Sequence, residues 1–146
     1  MRTLLDDASS WLLESLEYGD GVRVVVVELA RADAPEDIRV GEHVIKDAYA
    51  LEPSPESRRA VVRFSRPVAW QVVDESYTSL DTSEVRDDTC FLSTLTQSAY
   101  LEYVETNHGW FKGMVGPAIH YRLWTENEVI DVVAHDEPVV ELLEGT

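Results

Sequence analysis

Three residues of one predicted β-hairpin are of the types that form binding or acid–base sites: His120, Arg122 and Asp131. Histidine changes its charge near neutral pH, and a carboxylate beside the ring can fix which nitrogen carries the proton. An arginine guanidinium offers two parallel N–H groups to a carboxylate or a phosphate. Together these residues would suit a general base that is oriented by Asp131, with Arg122 holding an anionic group of the ligand.

The segment that must position these side chains runs from Ile119 to Ala134, with a polar break at Thr125-Glu126-Asn127. Its two halves are rich in β-branched and aromatic residues, which favour strands. If Glu126-Asn127 is a two-residue turn, Arg122 faces Asp131 across the hairpin. One face is then wholly apolar and consists of Ile119, Tyr121, Leu123, Ile130, Val132 and Ala134. A shift of one residue would mix polar and apolar side chains, so the pattern selects this register.

The opposite face of the hairpin carries the candidate binding residues His120, Arg122, Trp124 and Asp131. We expect His120 to lie diagonal to Asp131, about 7 Å away between backbones. One hypothesis is a binding or acid–base site that Glu75 and Tyr77 complete from the start of a long acidic loop. The other is a cross-strand ion pair beside a partly exposed histidine, since exposed ion pairs are common and individually weak.

The charge balance of the chain is unusual. Twenty-eight acidic residues face twelve lysines and arginines, which gives a formal net charge of −16 and a pI near 4.4. A nucleic-acid backbone or an anionic membrane surface needs a basic protein surface, so both are unexpected partners. A basic protein partner fits this charge, and plain solubility is the alternative explanation. No secretory pattern or membrane span is evident, so we expect a cytoplasmic protein. No His or Cys lies at a diagnostic metal-ligand spacing, so we expect no metal or cofactor.

One basic patch interrupts this acidic chain: Arg58, Arg59, Arg63 and Arg66. It could hold an anionic ligand or the acidic face of another subunit. Alternatively, these arginines pair with acidic residues of the same chain. The patch lies in a segment for which we predict a hairpin, with strands at 58–64 and 68–75 around Ser65-Arg66-Pro67.

The remaining periodicity predicts a single α+β domain spanning residues 1–146. Apolar residues recur at helical spacing over 3–18, and four consecutive valines, Val24 to Val27, favour a central strand. A short helix is expected at about 98–107, with Ser98 as its N-cap. We therefore predict a bent antiparallel sheet, sandwich-like or barrel-like, of about six or seven strands. An N-terminal helix and the short helix near 98–107 would pack against it.

Several short motifs in the second half of the chain form a recognisable set, which covers roughly residues 70–138. They are Glu75-Ser76-Tyr77, Ser98-Ala99-Tyr100-Leu101, Gly116-Pro117-Ala118-Ile119-His120-Tyr121, Ile130-Asp131-Val132 and Pro138. With these motifs the chain resembles a group of small bacterial single-domain proteins of uncharacterised function, some with immunity-type or regulatory roles. The resemblance implies a bacterial origin and a single-domain architecture. It supplies no catalytic residues.

Two functions follow from these observations. The first is a non-enzymatic, acidic module that binds a basic protein, in an immunity-type or regulatory role. The second is a small-ligand-binding protein or an enzyme that uses the face of His120, Arg122 and Asp131. A deep pocket over that face would favour the second function, whereas an acidic, water-facing surface would favour the first. The oligomeric state does not follow from the sequence.

Overall fold

The computed structural model describes residues 1–31, 34–78, 81–87 and 90–144. About half of the chain, 51%, is strand, and 15% is helical. The strands in these ranges are β1 (Trp11–Gly19), β2 (Gly21–Glu28), β3 (Ala30–Arg31), β4 (Glu36–Val40), β5 (His43–Ala48), β6 (Leu51–Glu52), β7 (Arg59–Phe64), β8 (Pro67–Asp74), β9 (Val85–Arg86), β10 (Leu92–Gln97), β11 (Ile119–Trp124), β12 (Glu128–Ala134) and β13 (Val139–Leu143). The helices are α1 (Ala99–His108) and α2 (Phe111–Met114), and short 3-10 turns lie at Leu4–Asp7 and Glu75–Tyr77.

Two antiparallel sheets form the body of the molecule. The first sheet has the strand order β1-β2-β7-β13, and the second has the order β8-β12-β11-β10-β9. Their inner faces share one hydrophobic core, in which the rings of Phe64 and Tyr121 lie 5.7 Å apart. The predicted α+β class was therefore wrong: the described chain is mostly β, with thirteen strands in four sheets and two helices.

The predicted N-terminal helix at 3–18 is instead a 3-10 turn followed by strand β1. A β-bulge between Leu13 and Ser15 explains why the pattern looked helical. The bulge inserts one extra residue, so the side chains of Trp11, Leu13 and Leu16 reach the same core although their spacing changes from two to three. This mixed spacing imitates the 3.6-residue period of an amphipathic helix.

The predicted hairpin at 58–64 and 68–75 was also wrong, although both strands exist. Strand β7 pairs with β2 and β13 in the first sheet, whereas β8 pairs with β12 in the second sheet. The chain therefore passes from one sheet to the other at Ser65-Arg66. Alternation along a strand shows which residues face the core, but it does not show which strand lies alongside.

Strand β2 is central, as the run of valines predicted, because β1 and β7 flank it. Val24 and Val26 point into the core between the sheets. The turn from β1 into β2 needs a glycine at Gly21, where φ is +83° and a Cβ atom would lie 2.3 Å from the carbonyl oxygen of Phe64. A side chain at this position would push β7 away from β2.

The predicted 119–134 hairpin and its register are confirmed: Arg122 pairs with Asp131 across β11 and β12. The predicted apolar face lies in the shared core, apart from Ile119, which is exposed. The predicted short helix is confirmed as α1, with Ser98 accepting a hydrogen bond from the Leu101 amide. Neither described helix is long and apolar enough to cross a membrane.

Helices α1 and α2 cover part of the outer face of the second sheet. Leu101, Val104 and Phe111 form a second hydrophobic cluster with Val133 of β12. The molecule therefore has three layers: the first sheet, the second sheet and the two helices. The polar residues of β11 and β12 lie in the outer interface of this arrangement, between the second sheet and its cover.

Candidate functional site

A buried polar network lies on the outer face of the second sheet. Strand β11 supplies His120 and Arg122, strand β12 supplies Asp131, and the neighbouring strand β8 supplies Gln71. Because side chains alternate along each strand, these four residues share one face while Tyr121 and Val132 point into the core. Every buried side-chain nitrogen and oxygen in the described ranges has a hydrogen-bond partner, so this network is closed.

Asp131 is the centre of the network. Its Oδ1 atom accepts hydrogen bonds from Nε2 of His120 at 2.6 Å and from Nε of Arg122 at 2.8 Å, and its Oδ2 atom accepts one from Gln71 at 3.1 Å. Burial would raise the pKa of Asp131, but the hydrogen bond from His120 and the charge of Arg122 outweigh it and lower the pKa. The carboxylate is therefore ionised at neutral pH.

His120 is fully buried, with 0% of its surface exposed. Its Nδ1 atom lies 2.7 Å from Oγ of Ser98, and the ring of Tyr100 packs against it edge-on with centroids 5.4 Å apart. A neutral ring with hydrogen on Nε2 satisfies all these partners. Nε2–H then donates to Asp131, the Ser98 hydroxyl donates to Nδ1, and the same hydroxyl accepts from the amide of Leu101 at 3.0 Å.

Arg122 extends the network to the segment that precedes β9. Its Nη1 atom donates to Oε2 of Glu84 at 2.8 Å, and Arg86 lies 3.7 Å from the same carboxylate. Burial would lower the pKa of Arg122, but the negative charges of Asp131 and Glu84 raise it above its ordinary value. The charges thus alternate in sign from Asp131 to Arg86, and the buried guanidinium stays charged and paired.

Ser98, His120 and Asp131 follow the order of a nucleophile, a base and an orienting carboxylate. Two features indicate that this arrangement stabilises the fold and does not catalyse a reaction. The Ser98 hydroxyl caps α1, and the amide of the next residue, Ala99, already donates to Asp81 at 2.9 Å. Ser98 also borders a hollow of about 340 Å³ whose wall contains Glu102 and Glu105. Carboxylates there would oppose a developing oxyanion, which needs donors.

Two adjoining hollows open over the network. The first has a volume of about 260 Å³, and its polar lining includes Gln71, Tyr77, Thr78, Asp81, Glu84, Tyr100, Arg122 and Asp131. The second has a volume of about 250 Å³ and is lined by Glu75, Thr78, Asp81, Glu84, Arg86, Arg122 and Trp124. Four residues line both hollows: Thr78, Asp81, Glu84 and Arg122. The pair therefore forms one continuous recess between the sheet, α1 and residues 75–78 and 81–86.

The electrostatics of the first hollow favour a positive group. Hydrogen bonds from the Ser83 hydroxyl and the Ala99 amide lower the pKa of Asp81, which is ionised at neutral pH. Burial and the charge of Asp131 raise the pKa of Tyr100 to about 12, so its phenol stays neutral. Among the residues that the structure describes, the lining thus carries three carboxylates, Asp81, Glu84 and Asp131, against the single guanidinium of Arg122.

The structure places the predicted site residues in two groups. Five of them line the hollows: Glu75, Tyr77, Arg122, Trp124 and Asp131. The sixth, His120, lines neither hollow and lies beneath Tyr100. The expectation of a partly exposed histidine was wrong, because α1 covers this part of the sheet.

Sequence reasoning missed several members of the site. Ser98 was predicted only as a helix cap, and its contact with His120 depends on how α1 docks on β11. Gln71 faces Asp131 because β8 lies beside β12, which the local pattern does not reveal. Asp81 and Glu84 come from a segment without clear periodicity, in which residues 79 and 80 lie outside the described ranges.

The basic patch of Arg58, Arg59, Arg63 and Arg66 is paired throughout. The partners are Glu28 at 2.5 Å, Glu14 at 2.5 Å, Glu141 at 2.8 Å and Asp136 at 2.7 Å, in the order of the arginines. The hydrogen bond from Arg66 lowers the pKa of Asp136 to about 2. The structure therefore supports the interpretation in which these arginines pair with acidic residues of the same chain.

Comparisons of the chain with protein-family models, curated proteins and solved structures gave no match. The resemblance to immunity-type bacterial proteins therefore stays a prediction. Within the described ranges, no group of three or more His, Cys, Asp or Glu side chains is placed to hold a metal ion. The geometry itself describes a closed, buried network beneath an acidic recess.

Proposed function

We propose that this protein is an acidic protein-binding module, and that its recess receives a lysine or arginine side chain of a basic partner. The observation that carries the proposal is the lining of the first hollow, in which three carboxylates surround one guanidinium. A positive side chain entering the hollow would meet charges that are already held in place. Preorganised charges of this kind give specificity and fast association.

The hollow suits a cation better than an anion. The guanidinium of Arg122 already donates to Asp131 and to Glu84. An anionic ligand would have to compete with both carboxylates for these N–H groups. Tyr77 and Tyr100 add aromatic rings at the lining, against which a cation can also pack.

Binding is favoured over acid–base catalysis by the state of His120. Both ring nitrogens are engaged, and the ring lies below the hollow rather than in its wall. A general base must reach the proton that it removes.

A protein partner is favoured by the charge of the whole molecule. Eight of the twelve lysine and arginine side chains pair with carboxylates within the described ranges: Arg23, Arg58, Arg59, Arg63, Arg66, Arg86, Lys112 and Arg122. The chain has 28 acidic residues against these twelve basic ones, so its formal net charge is −16. Such a field steers a basic protein toward the surface. An immunity-type or regulatory role in the bacterial cytoplasm is consistent with this proposal.

The test uses a fluorescein-labelled, flexible peptide of alternating lysine and glycine, with a glutamate–glycine peptide for comparison. We expect the lysine peptide to bind in low salt, and binding to weaken as salt screens the charges. The double variant Glu75→Gln/Asp81→Asn removes two charges from the hollows. It should weaken binding by about fivefold, read as fluorescence anisotropy.

The matched control is Glu137→Gln/Glu144→Gln, which removes two exposed charges outside the hollows. This control should change the affinity by less than about twofold. Equal weakening by the two double variants would mean that overall charge alone attracts the peptide. That outcome, or equal binding of the two peptides, would contradict the proposed function.

A further inference from the structure

Residues 30–31 and 34–52 form an arm that stands apart from the two main sheets. Strands β4 and β5 form a separate two-stranded sheet, and β3 and β6 pair at its root. In the described ranges, β4 and β5 pair only with each other. Of residues 36–48, all are exposed except Ile38 and Ala48, which are half-buried. Each strand therefore has an open edge toward solvent.

The arm exposes an apolar stripe. Ile38 pairs with Ile45 and Val40 with His43, so Ile38, Val40 and Ile45 share one face of the hairpin. The exposed fraction is 59% for Val40 and 53% for Ile45. A two-stranded hairpin is only marginally stable by itself in water, and exposed apolar side chains at an open sheet edge are a hazard for aggregation. An element of this kind is typical of a docking surface.

The arm is anchored at its root rather than hanging as a loose loop. The Glu28 amide donates to the carbonyl of Arg58 at 2.8 Å, just before β3 and after β6. The guanidinium of Arg31 lies 3.4 Å above the ring centroid of Tyr49. These contacts hold the two legs of the arm together where it leaves the first sheet.

Hydrogen bonds place the root of the arm at the same end of the molecule as the second hollow. The Leu29 amide donates to the carbonyl of Ser10, and Oγ of Ser10 donates to Glu126 at 2.7 Å. The carbonyl of Asn127, the next residue, accepts from the amide of Glu75, which lines the second hollow. These hydrogen bonds therefore connect the root of the arm, through residues 126 and 127, to the wall of the second hollow.

We propose that a strand of the basic partner pairs with an open edge of the arm. Apolar residues of that strand would cover the stripe of Ile38, Val40 and Ile45. This inference rests on the proposed function and names the surface that the partner uses. Strand addition takes affinity from main-chain hydrogen bonds and specificity from alternate side chains. The partner strand would place apolar residues at every second position, where they face the stripe.

Charge selects a basic partner over a second copy of this chain. Residues 36–48 carry four carboxylates, Glu36, Asp37, Glu42 and Asp47, against the two basic residues Arg39 and Lys46. Each whole molecule carries −16. Two copies that approach through their arms would repel each other, whereas a basic strand would be attracted.

The probe for this inference is a labelled peptide of alternating lysine and valine, about 12 residues long, beside the flexible lysine–glycine peptide. We expect the lysine–valine peptide to bind the wild-type protein about tenfold more tightly, because only it can extend the arm and cover the stripe. The variant Val40→Asn/Ile45→Asn should lose this tenfold gain and still bind the lysine–glycine peptide. The control variant Trp110→Ser/Met114→Asn removes exposed apolar side chains elsewhere and should keep the gain.

Three outcomes distinguish failure of this inference from failure of the proposed function. Equal binding of the lysine–valine peptide by the wild-type protein and the arm variant would overturn the arm as docking surface. A wild-type dimer in sedimentation that the arm variant converts to a monomer would assign the arm to a second copy and overturn the inference. If the proposed function itself fails, the lysine–glycine and glutamate–glycine peptides will bind equally. Unchanged urea unfolding of the arm variant confirms that its fold is intact.

Discussion

The two faces of this molecule that carry charge use the same residue types in opposite ways. On the outer face of the first sheet, Arg63 and Glu141 lie 2.8 Å apart with side chains 47% and 55% exposed. On the outer face of the second sheet, Arg122 and Asp131 also lie 2.8 Å apart, but their side chains are only 10% and 3% exposed. The distances agree, and only the access of water differs.

That difference decides what each set of charges does. Water solvates an exposed arginine when its partner is removed, so the pairs of the first sheet add little stability. A buried arginine without its partner keeps an uncompensated charge in a medium of low polarity. The first face therefore neutralises charge, whereas the second face fixes the position of α1 and of the carboxylates that line the recess.

The largest effect should come from Asp131→Asn. The change leaves the buried guanidinium of Arg122 without its charged partner, and it disturbs the hydrogen bond from His120. We expect the free energy of unfolding to fall by about 3–5 kcal/mol, measured by urea denaturation. The exposed counterpart Asp136→Asn should cost much less, because water solvates Arg66 when its partner is removed. Similar losses in the two variants would contradict the distinction between the faces.

The same comparison predicts a dependence on pH. The pKa of Asp131 is lowered in the folded protein, so its ionised form stabilises the fold above the ordinary carboxyl pKa of about 4. This contribution is lost as the pH falls below that value and through the folded pKa. The stability difference between wild type and Asp131→Asn should therefore be constant near neutral pH and shrink in acid. Urea denaturation at a series of pH values measures it, and a difference that grows in acid would contradict the assignment.

The smallest effect should come from Arg63→Gln on the first sheet. Its partner Glu141 is exposed, so we expect a loss of about 0–1 kcal/mol. Added salt should reduce the loss further, because it screens exposed charges. Denaturation in low and high salt makes the measurement. A salt-independent loss above about 2 kcal/mol would show that this face also depends on its ion pairs.

The sequence alone predicted correctly those features of the fold that depend on a local pattern. The register of β11 and β12 followed from one apolar face and one short turn, and Ser98 followed from its position before an amphipathic segment. The helix predicted for β1 failed because a single bulge changed the spacing of its core residues. Local patterns fix faces and turns, and a bulge is invisible to them.

Predicting the site would have required information that local sequence patterns do not contain. The contact of Asp131 with Gln71 depends on the chain leaving the first sheet after β7, so that β8 pairs with β12 in the second sheet. The burial of His120 depends on the docking of α1, whose cap contacts the histidine. Strand order and helix docking are set by the packing of the whole core, so they could not be derived from periodicity.

The most direct test of the binding account is a nuclear magnetic resonance titration with Nα-acetyl-arginine methylamide, a neutral-backbone analogue of one partner side chain. We predict shifts confined to the recess, including the Gln71 side-chain amide and the backbone amides of Ala99 and Tyr100, and weaker binding by Asp81→Asn. The norleucine analogue, which lacks the charge, should give no such shifts. Shifts that spread evenly over the acidic surface, or a stronger response to an acetate ion, would contradict a recess built for a cation.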